Sequence, residues 1–418
     1  MSVKCGMRNS GGGIAVRGGT AARSAAGRTQ HVRLGDVAEE VRENWSGPKA
    51  NVPVVGLEHI EPDEIWLRKW EVNPDENTFS KAFRKGQLLF GRRRAYQKKL
   101  SLAPSDGICS GDITVIAAKS DKVVPSLLPF LLRTDKFFDY AIQGSAGSLS
   151  PRVKWAHLAK YEFDLPPMDE QKKLAELLWA ANDLKESYKK AITATDEMLK
   201  AKFREMFGDA GDDSSRGGAE ARRGGAHRVT SKHPTVPLEE VCKILTDGTH
   251  LPPKFSDSGI PFLFVSNIQN NKLTYETNKY ITLEQYKVLI KRTPIEIGDV
   301  LLTTVGSYGN PAIVESDKPF CFQRHIAYLK LKRDLIEPNF LHAVLLSEKV
   351  RNQIDTAAQG YAQKTVTLTS LRSIQIPLPP LSLQREFVAI ADKAELAKAN
   401  LKKSIASLDQ VMKGLING

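Results

Sequence analysis

The side chains best suited to chemistry in this sequence are the basic residues between Asn77 and Ser105. This stretch contains eight Lys and Arg residues, no Asp or Glu, and four interleaved aromatic residues. Lys and Arg neutralise the phosphates of DNA, and arginine also pairs with guanine edges in the major groove. The alternative is a solvated surface, which normally mixes both signs of charge. We therefore predict DNA contacts for Lys81, Arg84, Lys85, Arg92, Arg93, Arg94, Tyr96 and Lys98.

A second run, from Thr303 to Asn310, carries small polar side chains that could read bases directly. Its Gly and Asn residues are equally typical of a turn, so both interpretations stay open at this point. The predicted DNA contacts in this run are Thr304, Ser307, Tyr308 and Asn310.

The sequence lacks the patterns that would let the chain modify or cut DNA by itself. A base methyltransferase needs an Asn/Asp-Pro-Pro-aromatic motif, whereas each Pro-Pro pair here follows Leu and precedes Met, Lys or Leu. There is no G-x-x-x-x-G-K-[ST] phosphate loop, the histidines lack metal-ligand spacing, and the four cysteines form no C-x-x-C pair. These features predict a non-catalytic chain without a cofactor or metal of its own, in a reducing compartment.

An internal repeat organises the elements that must position these residues. Leu165-Pro166-Pro167 recurs 213 residues later as Leu378-Pro379-Pro380, and a heptad pattern follows each block. One charged residue interrupts each pattern at the same phase, Lys185 in the first and Lys398 in the second. Two unrelated amphipathic helices are the alternative, but the shared phase and flanking prolines favour a repeated helix.

The repeat predicts an α+β fold class, with two mixed α/β domains in tandem and a long helix after each. Asp169 and Ser382 are candidate N-caps, and Gly208 is a candidate C′ residue. Pro125 and Pro338 each open a further predicted helix. The predicted segments are a disordered basic tail (1–30), domain 1 (31–167), helix 1 (168–208), a flexible linker (209–235), domain 2 (236–380) and helix 2 (381–418).

Composition limits the kinds of partner. The 418 residues include 60 Lys and Arg against 48 Asp and Glu, which gives a net charge of +12 and favours a polyanionic partner such as nucleic acid. The apolar runs are too short for a membrane helix, so no membrane partner is expected.

Several blocks of the second half occur in a recognisable order. They are Thr246-Asp247-Gly248-Thr249-His250-Leu251-Pro252-Pro253, Gly298-Asp299-Val300-Leu301, Ser307-Tyr308-Gly309 and Leu378-Pro379-Pro380 with Gln384. With the repeated domain and helix, residues 31–418 resemble the specificity (S) subunits of type I restriction-modification systems. The first half has Gly86-Gln87 in place of Gly298-Asp299 and no Asp-Gly-Thr-His block, which predicts a different base preference.

The resemblance implies two target-recognition domains, each reading one half of a bipartite site in double-stranded DNA. It implies that the two helices form an antiparallel coiled coil, which sets the gap and docks two methyltransferase subunits. Restriction subunits can join such a complex. S-adenosylmethionine, ATP and Mg would then bind to the partner subunits in a prokaryotic cytoplasm.

In that family, loops equivalent to those after Gln143-Gly144 and Gln359-Gly360 approach the DNA. This adds Ser145, Ser148, Tyr361, Gln363 and Lys364 to the predicted DNA-binding residues, although Tyr361 is equally compatible with a place in the core. Two other functions stay open on the sequence: a DNA-modifying enzyme with its own active site, and a coiled-coil scaffold whose charge is incidental.

Overall fold

The computed structural model describes residues 29–72, 78–208, 233–360 and 364–417. The chain divides into a first unit, Met1–Glu186 with Ala406–Gly418, and a second unit, Ser187–Ile405. The predicted tail (1–30) and linker (209–235) lie mostly outside the described residues. The first strands of the two units begin at Gln30 and Thr235, the last residues of those predicted segments.

The first unit combines short strands with helices. Its strands are β1 (Gln30–Arg33), β2 (Ala38–Val41), β3 (Val54–Val55), β4 (Lys81–Phe83), β5 (Leu88–Gly91), β6 (Leu100–Leu102), β7 (Gly107–Cys109), β8 (Ile113–Ala118), β9 (Ser145–Ala146), β10 (Arg152–Val153) and β11 (Glu162–Leu165). Its helices are α1 (Leu34–Val37), α2 (Leu128–Leu131), α3 (Asp135–Gln143), α4 (Trp155–Leu158) and the first part of α5 (Met168–Phe207).

The second unit contains a corresponding series. Its strands are β12 (Thr235–Pro237), β13 (Cys242–Asp247), β14 (Ile260–Leu263), β15 (Ile268–Gln269), β16 (Lys272–Leu273), β17 (Tyr280–Ile281), β18 (Val300–Thr303), β19 (Pro311–Ile313), β20 (Cys321–Phe322), β21 (Ile326–Leu331) and β22 (Gln375–Pro377). Its helices are α6 (Leu283–Leu289), α7 (Pro338–Leu346), α8 (Glu348–Ala357), α9 (Leu368–Ser373) and most of α10 (Leu381–Asn417).

The main sheets of the two units follow the same strand order. In the first unit the order is β2–β8–β5–β6, and in the second it is β13–β21–β18–β19, with antiparallel pairs throughout. In each unit a parallel pair lies beside this sheet, β3 with β7 and β14 with β20. Strands β1 and β12 pair antiparallel with β11 and β22, which precede the Pro-Pro blocks. The described chain is therefore a mixed helix-and-sheet fold with a long C-terminal helix.

Strand β5 shows why these apolar runs form buried strands. Leu88 and Phe90 contribute to the larger core of the first unit, whereas Leu89 contributes to a second cluster with Phe83 and Val115. Successive side chains of a strand point to opposite faces, so a continuous apolar run is stable where both faces of the sheet are covered. The predicted strands at 113–116 and 300–304 are confirmed as parts of β8 and β18.

The long helices begin one residue earlier than predicted. Helix α5 begins at Met168 and α10 at Leu381, so Asp169 and Ser382 lie inside the first turn and are not the caps. The fixed φ of the preceding proline suits a helix start, which explains the shift. Gly208 has a φ of +70°, as expected for C′. In the described ranges, no helix is both long and apolar enough to cross a membrane.

The two shorter helix predictions had different outcomes. Helix α7 begins at Pro338 as predicted. The segment that opens at Pro125 becomes helical only at Leu128.

The lysines on the heptad seams are paired with aspartates of the other long helix. In the first unit, Lys185 Nζ lies 2.6 Å from Asp409 Oδ1. In the second unit, Lys398 forms the corresponding ion pair with Asp196. Asp409 follows Asp196 by 213 residues, so the same pair forms twice with the helices exchanged. Both lysines therefore favour one helix register, while the continuous coiled coil stays a prediction.

A buried glutamine holds each Pro-Pro block. In the first unit, Gln171 Oε1 accepts a hydrogen bond from Val124 N, and Gln171 Nε2 donates to Pro166 O, both at 2.9 Å. In the second unit, Gln384 Oε1 accepts from Glu337 N, and its Nε2 donates to Pro379 O at 2.8 Å. Since both side chains are at most 2% exposed, these bonds form away from water.

We expect Gln171→Ala to destabilise the first unit by about 3 kcal/mol, because a buried donor and acceptor lose their partner. All five tryptophans lie in the first unit, so the midpoint of urea unfolding followed by tryptophan fluorescence measures this change. The control is Lys172→Ala at the next, exposed position, with an expected effect below about 0.5 kcal/mol. Equal midpoints for the two variants would contradict the structural role of Gln171.

Candidate nucleic-acid interface

Backbone hydrogen bonds join two of the predicted DNA-contact loops in the first unit. Arg92 N donates to Asp112 O at 3.0 Å, Val153 N donates to Arg92 O at 3.0 Å, and Arg94 N donates to Pro151 O at 2.8 Å. We call residues 92–94, 112 and 151–153 the first loop frame. It brings the basic stretch against the segment that follows Gln143-Gly144.

The same three bonds occur in the second unit. Thr304 N donates to His325 O at 2.9 Å, Val366 N donates to Thr304 O at 2.9 Å, and Gly306 N donates to Lys364 O at 3.1 Å. Residues 304–306, 325 and 364–366 form the second loop frame. Each of its positions follows its counterpart by 212 or 213 residues, so the repeat extends to the loops.

A short hairpin completes the first loop frame. Strands β9 and β10 pair antiparallel, with Val153 opposite Ser145. Gly147 in the connecting loop has a φ of +116°, which glycine adopts without steric cost. Ser145 Oγ donates to Ala141 O at 3.0 Å, whereas Ser148 is exposed in the loop. Ser148 is therefore the better placed of the two predicted contacts.

An acidic residue that the sequence did not indicate lies at the centre of this frame. Asp112 Oδ1 accepts from Arg152 Nε at 2.7 Å, and Asp112 Oδ2 accepts from Arg93 Nη1 at 3.3 Å. Arg93 Nη2 donates to Ser150 Oγ at 3.0 Å. Partial burial alone would raise the pKa of Asp112, but the hydrogen bonds and charges of Arg152 and Arg93 bring that pKa below its usual value. Asp112 is thus held as a carboxylate between two guanidinium groups.

The structure places the ammonium of Lys81 inside the first unit. Its Nζ donates to Ile113 O at 2.9 Å and lies 3.9 Å from Glu40, with 17% of the side chain exposed. Burial lowers the pKa of Lys81. An inward-facing, bound ammonium is unsuited to a phosphate, which corrects the predicted DNA contact at Lys81.

Acidic residues from outside the basic stretch neutralise two further candidates. Arg84 forms ion pairs with Glu43 and, at 3.2 Å, with Asp106. Lys98 Nζ lies 2.7 Å from Asp135 Oδ1. The absence of acidic residues within the stretch therefore does not make it an unpaired basic surface, because the fold supplies acids from other segments.

The remaining residues of the stretch differ in access. Lys85, Arg94 and Tyr96 are exposed, and 55% of Tyr96 is accessible. Arg92 is half-buried, and its Nε is a buried atom with no hydrogen-bond partner among the described residues. Arg94 is thus the frame residue of the stretch that is most open to an external polyanion.

In the second unit, the run from Thr303 to Asn310 holds its own turn. Thr304 is 4% exposed, so its hydroxyl is not available to a base, which corrects that prediction. Asn310 Nδ2 donates to Ser307 O at 2.9 Å and Ser307 Oγ at 3.1 Å. Of the two interpretations of this run, these bonds favour the turn.

Tyr308 is held by a neighbouring arginine. The Arg351 guanidinium lies 5.4 Å from the centre of the Tyr308 ring, and Arg351 also donates to Tyr308 O and Gly309 O. Lys364 is exposed beside this turn. Tyr361 and Gln363 lie outside the described residues, so their predicted DNA contacts stay predictions.

The Asp-Gly-Thr-His block of the second unit forms a packed turn. Asp247 Oδ1 accepts from Arg292 Nη2 at 2.6 Å, and Asp247 Oδ2 lies 2.9 Å from His250 Nε2. A Cβ at Gly248 would lie 2.2 Å from Phe322 O, so a larger residue would displace this backbone. The geometry explains the composition of the block by packing.

The Gly-Gln and Gly-Asp pairs also have structural roles. Gly86 and Gly298 have φ values of +83° and +82°. Gln87 Oε1 accepts from Arg84 N at 2.8 Å, whereas Asp299 is 1% exposed and accepts from the Tyr328 hydroxyl at 2.7 Å. Both side chains stabilise equivalent turns, so this difference does not predict a difference in base preference.

The described residues show no grouping of His, Cys, Asp or Glu suited to holding a metal ion. Burial raises the pKa of the thiols of Cys109, Cys242 and Cys321 to about 12. Since the thiolate is the reactive form, these cysteines are inert at neutral pH.

Comparison with known proteins gives similarity over most of the chain. Residues 231–410 match the family model described as the type I restriction modification DNA specificity domain. The chain is 23% identical to the putative type I restriction enzyme MjaX specificity subunit of Methanocaldococcus jannaschii, over 423 residues that cover 92% of each protein.

Two further proteins extend this comparison. The type I restriction enzyme MjaVIII specificity subunit of the same organism is 23% identical over 247 residues, which cover 57% of this chain and 56% of that protein. This chain thus spans little more than half the length of that relative. A chain from a solved structure on complex assembly and conformational transition of the type I R-M system aligns over 93% of this chain and 96% of its own length. Its TM-score of 0.56 at 20% identity shows a shared fold.

Proposed function

Since this chain belongs to the specificity subunits of type I restriction-modification systems, we propose that it is the non-catalytic subunit that recognises the DNA target of such an enzyme. The observation that carries this proposal is the loop frame, which occurs in both units with the same three backbone hydrogen bonds. Loops held by a rigid scaffold are the usual place for recognition residues.

Each unit reads one half of a bipartite site in double-stranded DNA. The two frames support this reading because their backbones agree while their side chains differ: Arg92, Arg93 and Arg94 occupy the first frame, whereas the second has Thr304, Val305 and Gly306. Different side chains on one backbone arrangement favour different base sequences. Linking both readings in one chain raises the affinity for a site that contains both halves.

The two long helices set the gap between the half-sites and dock two methyltransferase subunits. Their antiparallel pairing is supported within each unit by named contacts. Lys185 pairs with Asp409 in the first unit, and Phe203 stacks edge-on against Phe387 in the second, with ring centres 5.4 Å apart. A rigid pair of helices is suited to a fixed spacing because an α-helix has a constant rise per residue.

The complex divides its chemistry between subunits. Methyl transfer from S-adenosylmethionine takes place in the methyltransferase subunits, and restriction subunits, where present, use ATP and Mg. The Arg and Lys residues of this chain bind DNA. We place the complex in the cytoplasm of a prokaryote.

This proposal is tested with the purified chain in the presence and absence of its methyltransferase subunit. We expect the chain alone to transfer no methyl group to duplex DNA and to cut none, and the complex to retain duplex DNA with an affinity that falls steeply with salt. Turnover by the chain alone would instead establish an enzyme with its own active site. Co-purification without retention of any DNA would establish a scaffold.

A further inference from the structure

The two arginines on Asp112 use different nitrogen atoms. Arg93 binds through both terminal nitrogens, Nη1 to Asp112 and Nη2 to Ser150. Arg152 binds Asp112 through Nε, and neither of its terminal nitrogens hydrogen-bonds to another residue within the described ranges. The Arg152 side chain is 46% exposed, whereas that of Asp112 is 20% exposed. Arg152 therefore keeps its terminal pair of donors for an external acceptor.

The backbone of the loop frame does not require these three side chains. In the second loop frame, Thr365 stands at the position of Arg152, Val305 at that of Arg93 and His325 at that of Asp112, with the same backbone bonds. Burial and the charge of Arg324 lower the pKa of His325, which favours its neutral form. The second unit thus builds an equivalent frame without a carboxylate, so the arrangement at Asp112 serves something other than the fold.

We propose that Asp112 is a positioning residue that holds Arg152 so that its terminal nitrogens contact a guanine in the half-site read by the first unit. This inference rests on the proposed function. Guanine presents two acceptors, O6 and N7, to the major groove, and a guanidinium contacts both through parallel N–H groups. Because the Nε bond to Asp112 fixes the plane of the Arg152 guanidinium, the two donors are oriented before DNA binds.

A guanine fits this arrangement better than a phosphate does. A phosphate is bound through charge, and a carboxylate 2.7 Å from the arginine weakens that attraction. The same carboxylate improves a contact that depends on direction, because it restricts the orientation of the guanidinium. Asp112 therefore lowers the general attraction to DNA in exchange for discrimination between bases.

The test is a selection of bound sequences from randomised duplexes by the complex of this chain with its methyltransferase subunits. The variants are Arg152→Lys, which keeps the charge but loses the paired donors, and Asp112→Asn, which loses the carboxylate. Asp121→Asn is the matched control, an acid of the same unit that is 73% exposed. Tryptophan fluorescence on urea unfolding identifies any variant that is destabilised.

We expect the parent complex to select a bipartite motif with one guanine whose preference falls about tenfold in both Arg152→Lys and Asp112→Asn. The second half-site is unchanged, and Asp112→Asn binds unrelated duplexes at least as tightly as the parent, since a negative charge is removed. Asp121→Asn selects the parent motif.

Three results would overturn the inference. An unchanged guanine preference in Arg152→Lys excludes Arg152 as the reader. A change in Arg152→Lys without one in Asp112→Asn removes the role of Asp112. Equal weakening of all duplexes by a neutral Arg152→Gln variant, with a salt dependence reduced by about one ion, identifies a phosphate contact. If the parent selects no motif, the proposed function fails as well, a result distinct from a parental motif that the variants leave unchanged.

Discussion

Joint replacement of Arg92, Arg93 and Arg94 by alanine is expected to lower the affinity of the complex for duplex DNA about 100-fold at moderate salt. Arg94 is exposed, and its removal takes a positive charge from the open side of the first loop frame. Removal of Arg93 also breaks its hydrogen bonds with Asp112 and Ser150, so the hairpin loses side-chain support. The measurement is a binding titration at several salt concentrations. The slope of log affinity against log salt should become shallower by about 0.9 for each DNA phosphate that the variant no longer neutralises.

The matched control removes three exposed lysines of the same unit that lie outside the loop frame, Lys160, Lys172 and Lys173. This variant has the same change in net charge, so only a local role of the frame predicts a difference between the two. Equal loss of affinity in both would mean that net charge, rather than the frame, governs binding. Unchanged binding by the arginine variant would contradict the assignment of the first loop frame to DNA.

Insertion of four residues in both long helices is expected to change the gap between the half-sites. The insertion points are after Lys190 in α5 and after Lys403 in α10, so that the Lys185–Asp409 pair lies on one side and the Lys398–Asp196 pair on the other. Four residues are close to one helical turn and add about 6 Å. The base-pair rise is about 3.4 Å, so the recognised gap should widen by one or two base pairs, to be read from the methylated sequence.

The control places the four residues in one helix only. The lysine and aspartate of each pair then have different spacings on the two helices, so we expect loss of methylation and no new motif. If the double insertion folds and methylates the original site with its original gap, the helices do not set the spacing.

Local sequence patterns predicted the elements whose interactions are close in the chain. The prolines before Met168 and Leu381 and the heptads after them placed both long helices to within one residue. The apolar run in β8 likewise predicted a buried strand. These patterns suffice because helix periodicity, strand alternation and proline geometry act over a few residues.

The charged contacts could not be predicted in this way because their partners are far apart in the sequence. Glu43 neutralises Arg84 from 41 residues away, and Asp112 binds Arg152 across 40 residues. A stretch free of acidic residues therefore gave no indication of pairing. The repeat contained more information: its constant spacing relates Arg92 to Thr304 and Val153 to Val366, the residues that the structure joins in each loop frame.

The most direct test of the targeting function is the methylome of a host that expresses this chain with its methyltransferase subunit, compared with a host that expresses the methyltransferase subunit alone. The proposed function predicts methylation at a new bipartite motif with a fixed gap, and only when this chain is present. Co-purification of the two proteins without any new methylated motif would contradict it, because the chain would then bind its partner without directing it to DNA.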